Sequence, residues 1–357
     1  MTSFSINGEQ AERWGSLHFC TSLGLNNAPK LIALYWSLLR HSRRPFVFWI
    51  LCDGDEVYKL LSKLNLENAR LIALSEFEKA DLELLSVKSD RDIFEYNCTL
   101  RPCWILYLLN AHPEIEFLTY MDTDLYFFSD PQSLYVQMRN SSILLSEHRF
   151  SRLATKLGMD PAISGTYNAG WLAIKNDSQG KTALRWWRER CLEWCRRYYE
   201  DGKFGEQKYL DDWHTRFPGA VALSAQGGNV APWNIGDLDL SVDQIGQVHV
   251  NKELLVFYHF HALQMSGESS FKVVEEVGQG VIQLTNPSYV LKPKQVKYIY
   301  RPYTAELEKA INLVKSLQPL NEVRIGNKVA KQSSLFTRYK AKIKRKLIYM
   351  RSLYLSL

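Results

Sequence analysis

Two aspartates, Asp122 and Asp124, have the types and the spacing that could do chemistry. Both come directly after the apolar segment 117–121, which has the length of a strand. Residues i and i+2 of an extended backbone point to the same side, so the two carboxylates would lie a few ångströms apart. A hard divalent ion such as Mg²⁺ or Mn²⁺ would offset their repulsion, and such an ion commonly also holds substrate phosphates. A solvated turn after a strand is the alternative interpretation.

Two histidines, His259 and His261, alternate along a second apolar segment, 254–260. On a single strand both imidazoles would point the same way. A neutral imidazole would add a nitrogen ligand to the two carboxylates, and Mn²⁺ accepts such a mixed set. Both histidines are therefore candidate metal ligands, whereas a structural role is the alternative for each of them.

The elements that must position these residues alternate between strand and helix in the first half of the chain. Apolar runs of strand length and segments of helical spacing follow one another at 17–21, 28–40, 46–51, 57–64, 70–74 and 117–121. This order predicts an α/β protein with a mixed, mostly parallel central sheet and helices on both faces. Ligands bind at the carboxyl ends of such strands. Thr21 and Asp53, which end the first two strands, are predicted to contact a nucleotide base and ribose there.

The second half of the chain is less regular. Strands are predicted at 142–146, 167–174 and 254–260, and helices at 181–199, 205–213 and 305–317. We expect a catalytic domain at 1–285, a helical connector at 286–330 and a C-terminal helical extension at 331–357.

The positive charge of the chain is concentrated in this C-terminal extension. The net charge is +6, and ten Lys and Arg but no acidic residue follow Glu322. Apolar residues recur among these cations at spacings of three and four, which predicts a basic amphipathic helix. Adsorption to an anionic membrane surface is one interpretation of it. Docking on the protein itself or on another subunit is the other.

Composition and cysteine spacing narrow the class of protein. The chain is 46% hydrophobic and 23% charged, as ordinary globular proteins are. Its six cysteines form no C-x-x-C pair and have no zinc-ligand spacing, so we expect buried thiols in a reducing compartment. Residues 1–15 contain no apolar signal segment, and we find no run of about 18 apolar residues. We therefore expect a cytoplasmic protein, peripheral on the inner membrane face if the tail binds there, without a nucleic-acid partner.

Four segments in order resemble motifs of the GT-A fold glycosyltransferases, particularly family 8 and its bacterial relatives in surface-polysaccharide loci. The family motifs D-x-D, F-N-A-G-V, D-Q-x-x-L and H-F-x-G are matched by segments 122–124, 167–171, 206–210 and 259–262. Each match is modest alone, but the four together span about residues 16–265. The resemblance implies that Asp122, Asp124 and His259 hold Mn²⁺ or Mg²⁺, with His261 as a rival of His259.

The resemblance also implies contacts to the sugar donor. Asn168 and Gly170 have small neighbours, so a ligand could approach the backbone there, or two segments could pack tightly. Trp233 and Asn234 are predicted to form a wall of the sugar site, because Trp stacks on sugar rings and Asn bonds hydroxyl groups. A loop anchored by a buried Trp233 is the alternative.

The third motif supplies the candidate catalytic residues. Glu206 and Gln207 begin a predicted helix and could bond sugar hydroxyls, although ordinary helix-start polarity would look the same. If the reaction retains the anomeric configuration, Gln207 lies where the family places a candidate. If the reaction inverts it, a base is required, for which Asp211 and Asp212 are unranked candidates.

The chain departs from family 8 directly after its histidine motif. The family has a K-P-W segment there, whose lysine contacts the diphosphate, whereas segment 263–266 contains no lysine. Another cation must supply this charge, or the metal alone stabilises the leaving group. Arg101, near the start of a predicted helix, is the candidate, and an ordinary surface arginine is the alternative.

The predicted reaction is transfer of a sugar from a nucleoside-diphosphate sugar, with a UDP-sugar expected, to a glycan or lipid-linked acceptor such as a lipopolysaccharide. A nucleotidyltransferase could use the same sheet and metal pair, but it would carry a glycine-rich, basic loop after the first strand. Segment 22–27 has one glycine and no Lys or Arg. A sugar- or membrane-binding relative without turnover is the third hypothesis, and the intact D-x-D motif argues against it.

Overall fold

The computed structural model of the protein describes residues 15–263 and 289–317. The strands are β1 Leu17–Gly24, β2 Phe46–Asp53, β3 Ala69–Ala73, β4 Phe117–Met121, β5 Leu125–Phe127, β6 Ile143–Glu147, β7 Tyr167–Lys175, β8 Ala220–Ala222, β9 Leu240–Val242, β10 Val248–Val250, β11 Glu253–Leu254 and β12 Phe257–His259. The helices are α1 Ala28–His41, α2 Asp55–Leu64, α3 Leu74–Ala80, α4 Leu82–Val87, α5 Ile93–Ala111, α6 Arg152–Lys156, α7 Pro161–Ser164, α8 Ser178–Glu193, α9 Trp213–Arg216, α10 Pro293–Gln295 and α11 Arg301–Leu317.

A seven-stranded sheet forms the centre, in the order β3-β2-β1-β4-β7-β6-β8. β1, β2, β3 and β4 run parallel, and β7 is antiparallel to both of its neighbours. β6 and β8 are parallel to each other. The predicted class, a mixed and mostly parallel sheet of the kind found in GT-A folds, is confirmed.

Both faces of the sheet are covered because its central strands are apolar on both sides. On one face, α5 and α8 pack in a core that contains Trp104 and Trp187. On the other face, α1 and α2 pack in a core with the end of α11, through Ala310 and Val314. The six cysteines are buried and unpaired, as predicted.

Three predicted helices have different bounds. α5 begins at Ile93, eight residues before Arg101, which was predicted to lie near the start of this helix, because Asp92 and Glu95 form a capping box. α8 ends at Glu193 rather than continuing to 199. The segment 205–213 forms only a 3-10 turn, Gln207–Leu210, followed by the short helix α9.

The predicted strand 254–260 is divided between two sheets. Its first part, β11, pairs with β10, and its last part, β12, pairs antiparallel with β5. β5 follows Asp124 directly, so this small two-stranded sheet brings His259 to the turn after β4. The end of β12 therefore completes the edge at which the candidate site lies.

The described part of the predicted connector packs on the sheet domain. α11 contacts α1, and Arg40 of α1 donates a hydrogen bond to Glu306 of α11 at 3.0 Å. The domain division itself stays a prediction. The predicted helix at 331–357 lies outside the described residues. Among the described helices, none is both long enough and apolar enough to cross a membrane.

Candidate active site

The turn between β4 and β5 holds the aspartate pair. The backbone N–H of Asp122 donates to the carbonyl of Gly170 at 2.8 Å, and the carbonyl of Asp124 accepts from the N–H of Phe260 at 2.8 Å. β7 and the end of β12 thus fix the turn from both sides. The Asp122 and Asp124 side chains are 28% and 16% exposed, so a ligand can reach both carboxylates.

His259 completes a three-residue group with the aspartates. Its Nε2 lies 3.1 Å from Oδ1 of Asp124 and 3.9 Å from Oδ2 of Asp122, and its side chain is only 2% exposed. One ligand atom from each of the three residues lies within 4.8 Å of the others. Within residues 15–263 and 289–317, this is the group found with metal-ligand spacing.

The charges around Asp124 keep its carboxyl ionised. Burial alone would raise the pKa of this group. The imidazole of His259 and the ammonium group of Lys30 lower it more, so that the pKa of Asp124 stays well below its usual range. The carboxylate form is the one that binds a cation.

His261 does not join this group. β12 ends at His259, so the alternation expected for one strand does not continue to His261. Its Nδ1 lies 2.9 Å from the hydroxyl of Tyr289, and the residue is exposed. His259, and not His261, has a ligand atom near both aspartates, and which histidine binds a metal stays a prediction.

Gly170 of β7 lies directly beneath the group. A Cβ atom at this position would come within 2.5 Å of Cε1 of His259, 2.7 Å of Oδ2 of Asp122 and 2.8 Å of Oδ1 of Asn168. The close approach at Gly170 is therefore made by the site's own side chains. Asn168 accepts a hydrogen bond from the Gly170 N–H at 3.1 Å, which holds its amide beside the group.

Arg101 links the turn that holds Asp122 and Asp124 to segment 206–210. One terminal nitrogen donates to Oδ1 of Asp122 at 2.7 Å and the other donates to Glu206. The guanidinium group also lies over the Tyr120 ring, 4.5 Å from its centre. Since α5 begins at Ile93, Arg101 lies two turns inside the helix and not near its start. With a side chain that is 11% exposed, it is a bridging residue rather than an ordinary surface arginine.

The three predicted catalytic residues have different surroundings. Glu206 is buried, which raises its pKa, although the charge of Arg101 lowers it in part. Gln207 donates its amide to the carbonyl of Ser164 at 2.7 Å. Asp211 accepts from the Thr166 N–H at 2.7 Å and pairs with a lysine. Their catalytic roles stay predictions.

Trp233 and Asn234 lie in the interior behind the histidines. The Trp233 ring is 2% exposed and packs edge-on against His259, with ring centres 5.1 Å apart. The Asn234 amide donates to the carbonyls of His148 and Asn229, both at 2.9 Å, and so closes its own loop. The structure thus places them as the anchored loop of the alternative interpretation, and their contact with a sugar stays a prediction.

Thr21 and Asp53 lie toward the carboxyl edge of the parallel strands. β1 continues to Gly24, so Thr21 is inside the strand and fully buried rather than at its end. Asp53 does end β2, next to Gly24, and burial raises its pKa. Only Asp53 has the strand-end position that was predicted for both.

Two residues at the site were missed in the sequence. Lys30, in the first turn of α1, places its Nζ 3.9 Å from Oδ2 of Asp124. The Nδ1 of His148 lies 2.9 Å from the carbonyl of Gly165, and its Nε2 lies 3.5 Å from the Asn168 amide. Burial lowers the pKa of His148 to about 3, so its imidazole is neutral. Lys30 could have been found from its position shortly after the first strand, at the edge where ligands bind, whereas no sequence feature pointed to His148.

Comparison with known proteins identifies relatives along most of the chain. The chain is 32% identical over 261 residues to the uncharacterized protein YfnF of Bacillus subtilis strain 168, covering 72% of this chain and 85% of YfnF. It is 29% identical over 308 residues to YfnD of the same organism, covering 85% of this chain and 93% of YfnD. No protein-family model matches the chain.

Among solved structures, the chain is similar to the galactosyltransferase LgtC in complex with donor and acceptor sugar analogs. That likeness has a TM-score of 0.49 at 14% identity and covers 82% of this chain and 96% of LgtC. A likeness of this size does not determine an activity. By its own sheet and its Asp122–Asp124 turn this is a GT-A fold protein, and by its 32% identity to YfnF it belongs to the same family as that Bacillus subtilis protein.

Proposed function

We propose that the protein is a metal-dependent glycosyltransferase that transfers a sugar from a nucleoside-diphosphate sugar, with a UDP-sugar as the expected donor. The acceptor would be a glycan or a lipid-linked glycan. The observation that carries the proposal is the group formed by Asp122, Asp124 and His259 at the end of β4. It lies at the edge where α/β sheets bind their ligands.

The donor set of this group fits Mn²⁺ or Mg²⁺. Two carboxylates and one imidazole suit Mn²⁺ in particular, because it accepts nitrogen as well as oxygen ligands. The absence of a side chain at Gly170 leaves room for two of these residues, because a Cβ atom there would lie 2.5 Å from Cε1 of His259 and 2.7 Å from Oδ2 of Asp122. When bound there, a divalent ion would neutralise the diphosphate as it leaves the sugar.

The protein's own residues would position the two reactants. Arg101 holds the Asp122 carboxylate through a hydrogen bond, and the Phe260 N–H holds the backbone of Asp124. Fixed ligands of this kind lower the cost of ordering the donor. We assign Asp53 to the ribose of the nucleotide because it ends β2. Thr21 is the candidate for a contact to the base, although it lies inside β1.

We assign the remaining predicted residues on motif and geometry together. Gln207 is proposed near the reacting sugar, on the family motif alone. Asp211 is proposed as a base for an inverting reaction, and its two carboxylate oxygens accept hydrogen bonds from Thr166 and Lys208. Asn168 is proposed at the donor site, and Trp233 and Asn234 are proposed as a wall of the sugar site, with Trp233 also packed against His259. A cytoplasmic location and tail binding to anionic membranes belong to the same proposal.

The nucleotidyltransferase hypothesis gains one argument from the structure. Segment 22–27 lacks a cation, but Lys30 of the following helix lies near Asp124. The two activities differ in their products. A glycosyltransferase releases a nucleoside diphosphate from a sugar nucleotide, whereas a nucleotidyltransferase releases pyrophosphate from a nucleoside triphosphate and a sugar phosphate.

A product assay separates the three hypotheses. The purified protein is incubated with Mn²⁺ and a panel of labelled nucleotide sugars, and separately with nucleoside triphosphates and sugar phosphates. We expect nucleoside diphosphate from at least one nucleotide sugar and no pyrophosphate. Pyrophosphate release would favour the nucleotidyltransferase, and no product from either panel would favour the relative without turnover.

A further inference from the structure

Lys30 is a cation fixed at the aspartate turn. Its Nζ lies 3.9 Å from Oδ2 of Asp124, and its side chain is 16% exposed. Ser37 and Arg40 follow at helical intervals on the same side of α1. Ser37 Oγ accepts from the Phe127 N–H at 3.1 Å, and Arg40 donates to the Tyr126 hydroxyl at 2.7 Å. This face of α1 is therefore held against β5, which begins directly after Asp124.

The end of α1 that carries Lys30 favours an anion. Asn27 makes no side-chain hydrogen bond to the first-turn amides, and the first turn contains no acidic residue. The helix dipole favours negative charge at such an end, although the Ala28 N–H already donates to the Leu25 carbonyl and Pro29 has no N–H. The ammonium group of Lys30 adds a full charge at the same place.

A divalent ion bound by the two aspartates would reverse the balance of charge around Lys30. Without a divalent ion, Lys30 and Arg101 face the carboxylates of Asp122, Asp124 and Glu206. A bound divalent ion would turn this excess of negative charge into an excess of positive charge. It would also repel the ammonium group about 4 Å from its own ligand. The negative charge of a diphosphate bound beside Lys30 would offset both effects.

Arg101 is less suited to this task. Both of its terminal nitrogens already donate to carboxylates, those of Asp122 and Glu206. Its plane is also held over the Tyr120 ring. A guanidinium group with these partners positions Asp122 rather than a ligand.

We propose that Lys30 binds the diphosphate of the donor and replaces the lysine that this chain lacks after its histidine motif. This inference rests on the proposed function, since it assumes a nucleoside-diphosphate ligand. Lys30 would bind the leaving group from α1, at the opposite end of the chain from the segment that supplies this charge in the family it resembles.

Calorimetric titration tests the proposal without requiring turnover. Wild type, Lys30→Met, Lys30→Arg and Lys59→Met are titrated first with Mn²⁺ alone and then with UDP in saturating Mn²⁺. Lys59 is an exposed lysine of α2, and its substitution controls for the change in net charge. Thermal unfolding of each variant reports whether the fold is kept, and Lys30→Arg keeps the charge if removal of the lysine disturbs packing.

Lys30→Met should weaken UDP binding by about 10- to 100-fold, as expected for the loss of a charge-assisted hydrogen bond. Its affinity for Mn²⁺ alone should be unchanged or higher, because a cation near Asp124 has been removed. A merely structural role would weaken both. Lys30→Arg should recover most of the UDP affinity, and Lys59→Met should match wild type.

Unchanged UDP affinity in a folded Lys30→Met protein would overturn the role of Lys30 while leaving the proposed function in place. Equal loss of Mn²⁺ and UDP binding would do the same, since it would indicate damage to the site. If wild type binds neither UDP nor any other nucleoside diphosphate with Mn²⁺, the proposed function fails and this inference fails with it.

Discussion

His259 is more deeply buried than the two aspartates that it faces. Its backbone N–H donates to the Val230 carbonyl at 2.8 Å, and its imidazole ring packs against Trp233. The residue is 2% exposed, whereas the side chain of Asp122 is 28% exposed. A buried, oriented imidazole would supply the fixed part of a metal site, and the aspartates would supply its charge.

The two histidines should respond differently to substitution. We expect His259→Gln to weaken Mn²⁺ binding by about 100-fold or more, because loss of even an outer-shell partner commonly costs 10- to 100-fold. His261→Gln should stay within about threefold, well below that outer-shell cost, because the residue lies outside the ligand group. Mn²⁺ titration followed by electron paramagnetic resonance measures both. The reverse order of effects would assign the ligand to His261.

Gly170 should tolerate no side chain. Its Cβ atom would lie 2.5 Å from Cε1 of His259, so Gly170→Ala must displace a metal ligand or the strand. We expect a loss of about 1–3 kcal/mol in the free energy of unfolding, together with weaker Mn²⁺ binding. Gly24→Ala is the control, because a Cβ atom there would meet only the Asp53 carbonyl, at 3.9 Å. Denaturant unfolding measures both variants, and equal stabilities would contradict the packing argument.

The aspartate pair and His259 could be predicted because each lies at the end of an apolar strand and matches a motif. Lys30 and His148 could not be predicted with the same ease. Lys30 acts across a helix–strand contact between α1 and β5, and His148 acts through a hydrogen bond to Asn168. Contacts between segments distant in sequence leave no periodic pattern.

α5 connects the turn that holds Asp122 and Asp124 to segment 206–210 through one side chain. Arg101 is 11% exposed and binds Asp122 and Glu206, of which Glu206 is the more deeply buried. Removing one partner of a buried ion pair leaves the other charge without compensation. The helix therefore stabilises the site as well as the core.

Arg101→Met should destabilise the protein by about 3 kcal/mol near neutral pH. Burial raises the pKa of Glu206 and Arg101 lowers it, so the variant raises this pKa further. The native variant then binds a proton more readily than the unfolded chain does, and its stability rises as the pH falls. Denaturant unfolding at about pH 7.5 and about pH 5.5 should show a smaller deficit at the lower pH.

The double variant Arg101→Met with Glu206→Gln is the control for this pH dependence. It lacks the titrating carboxyl, so its deficit relative to Glu206→Gln should depend less on pH. A deficit of Arg101→Met that is constant between the two pH values would contradict the assignment to Glu206.

Strands β1 to β4 were predicted to within a few residues, whereas β5 was not predicted, and segments 181–199, 205–213 and 254–260 differ from their predicted elements. Segment 254–260 is continuously apolar because Leu255 and Val256 are buried while the chain passes from one sheet to the other. After α8, Cys195 remains buried although the helix has ended. A pattern of apolar residues indicates which residues are buried, but it does not indicate where a strand or helix ends. The capping box that starts α5 was present in the sequence and was overlooked.

The chain beyond the sheet domain begins as part of the same core. Val314 of α11 is fully buried against the α1 face of the sheet, so the described part of the connector is not a free linker. The basic stretch after Glu322 carries ten Lys and Arg and no acidic residue, which exceeds the net charge of +6 of the whole chain. Its predicted role is therefore binding rather than folding.

Deleting residues 331–357 should release the protein from anionic vesicles and leave activity in solution unchanged. The physical reason is the loss of cations and of a predicted apolar helix face. Vesicle co-sedimentation of the full chain and the shortened chain measures this, with neutral vesicles as the control. Equal binding to anionic vesicles after deletion would contradict a membrane role for the segment.

Release of nucleoside diphosphate from the preferred nucleotide sugar tests the central claim most directly, with wild type and Asp124→Asn compared in Mn²⁺ and in a chelator. Asp124→Asn keeps the shape of the turn and removes the carboxylate charge. We predict release by wild type in Mn²⁺, none in the chelator, and a loss of about 100-fold or more in an Asp124→Asn protein that still folds. Equal release by wild type and Asp124→Asn, or release that persists in the chelator, would contradict a metal-dependent transferase centred on Asp122, Asp124 and His259.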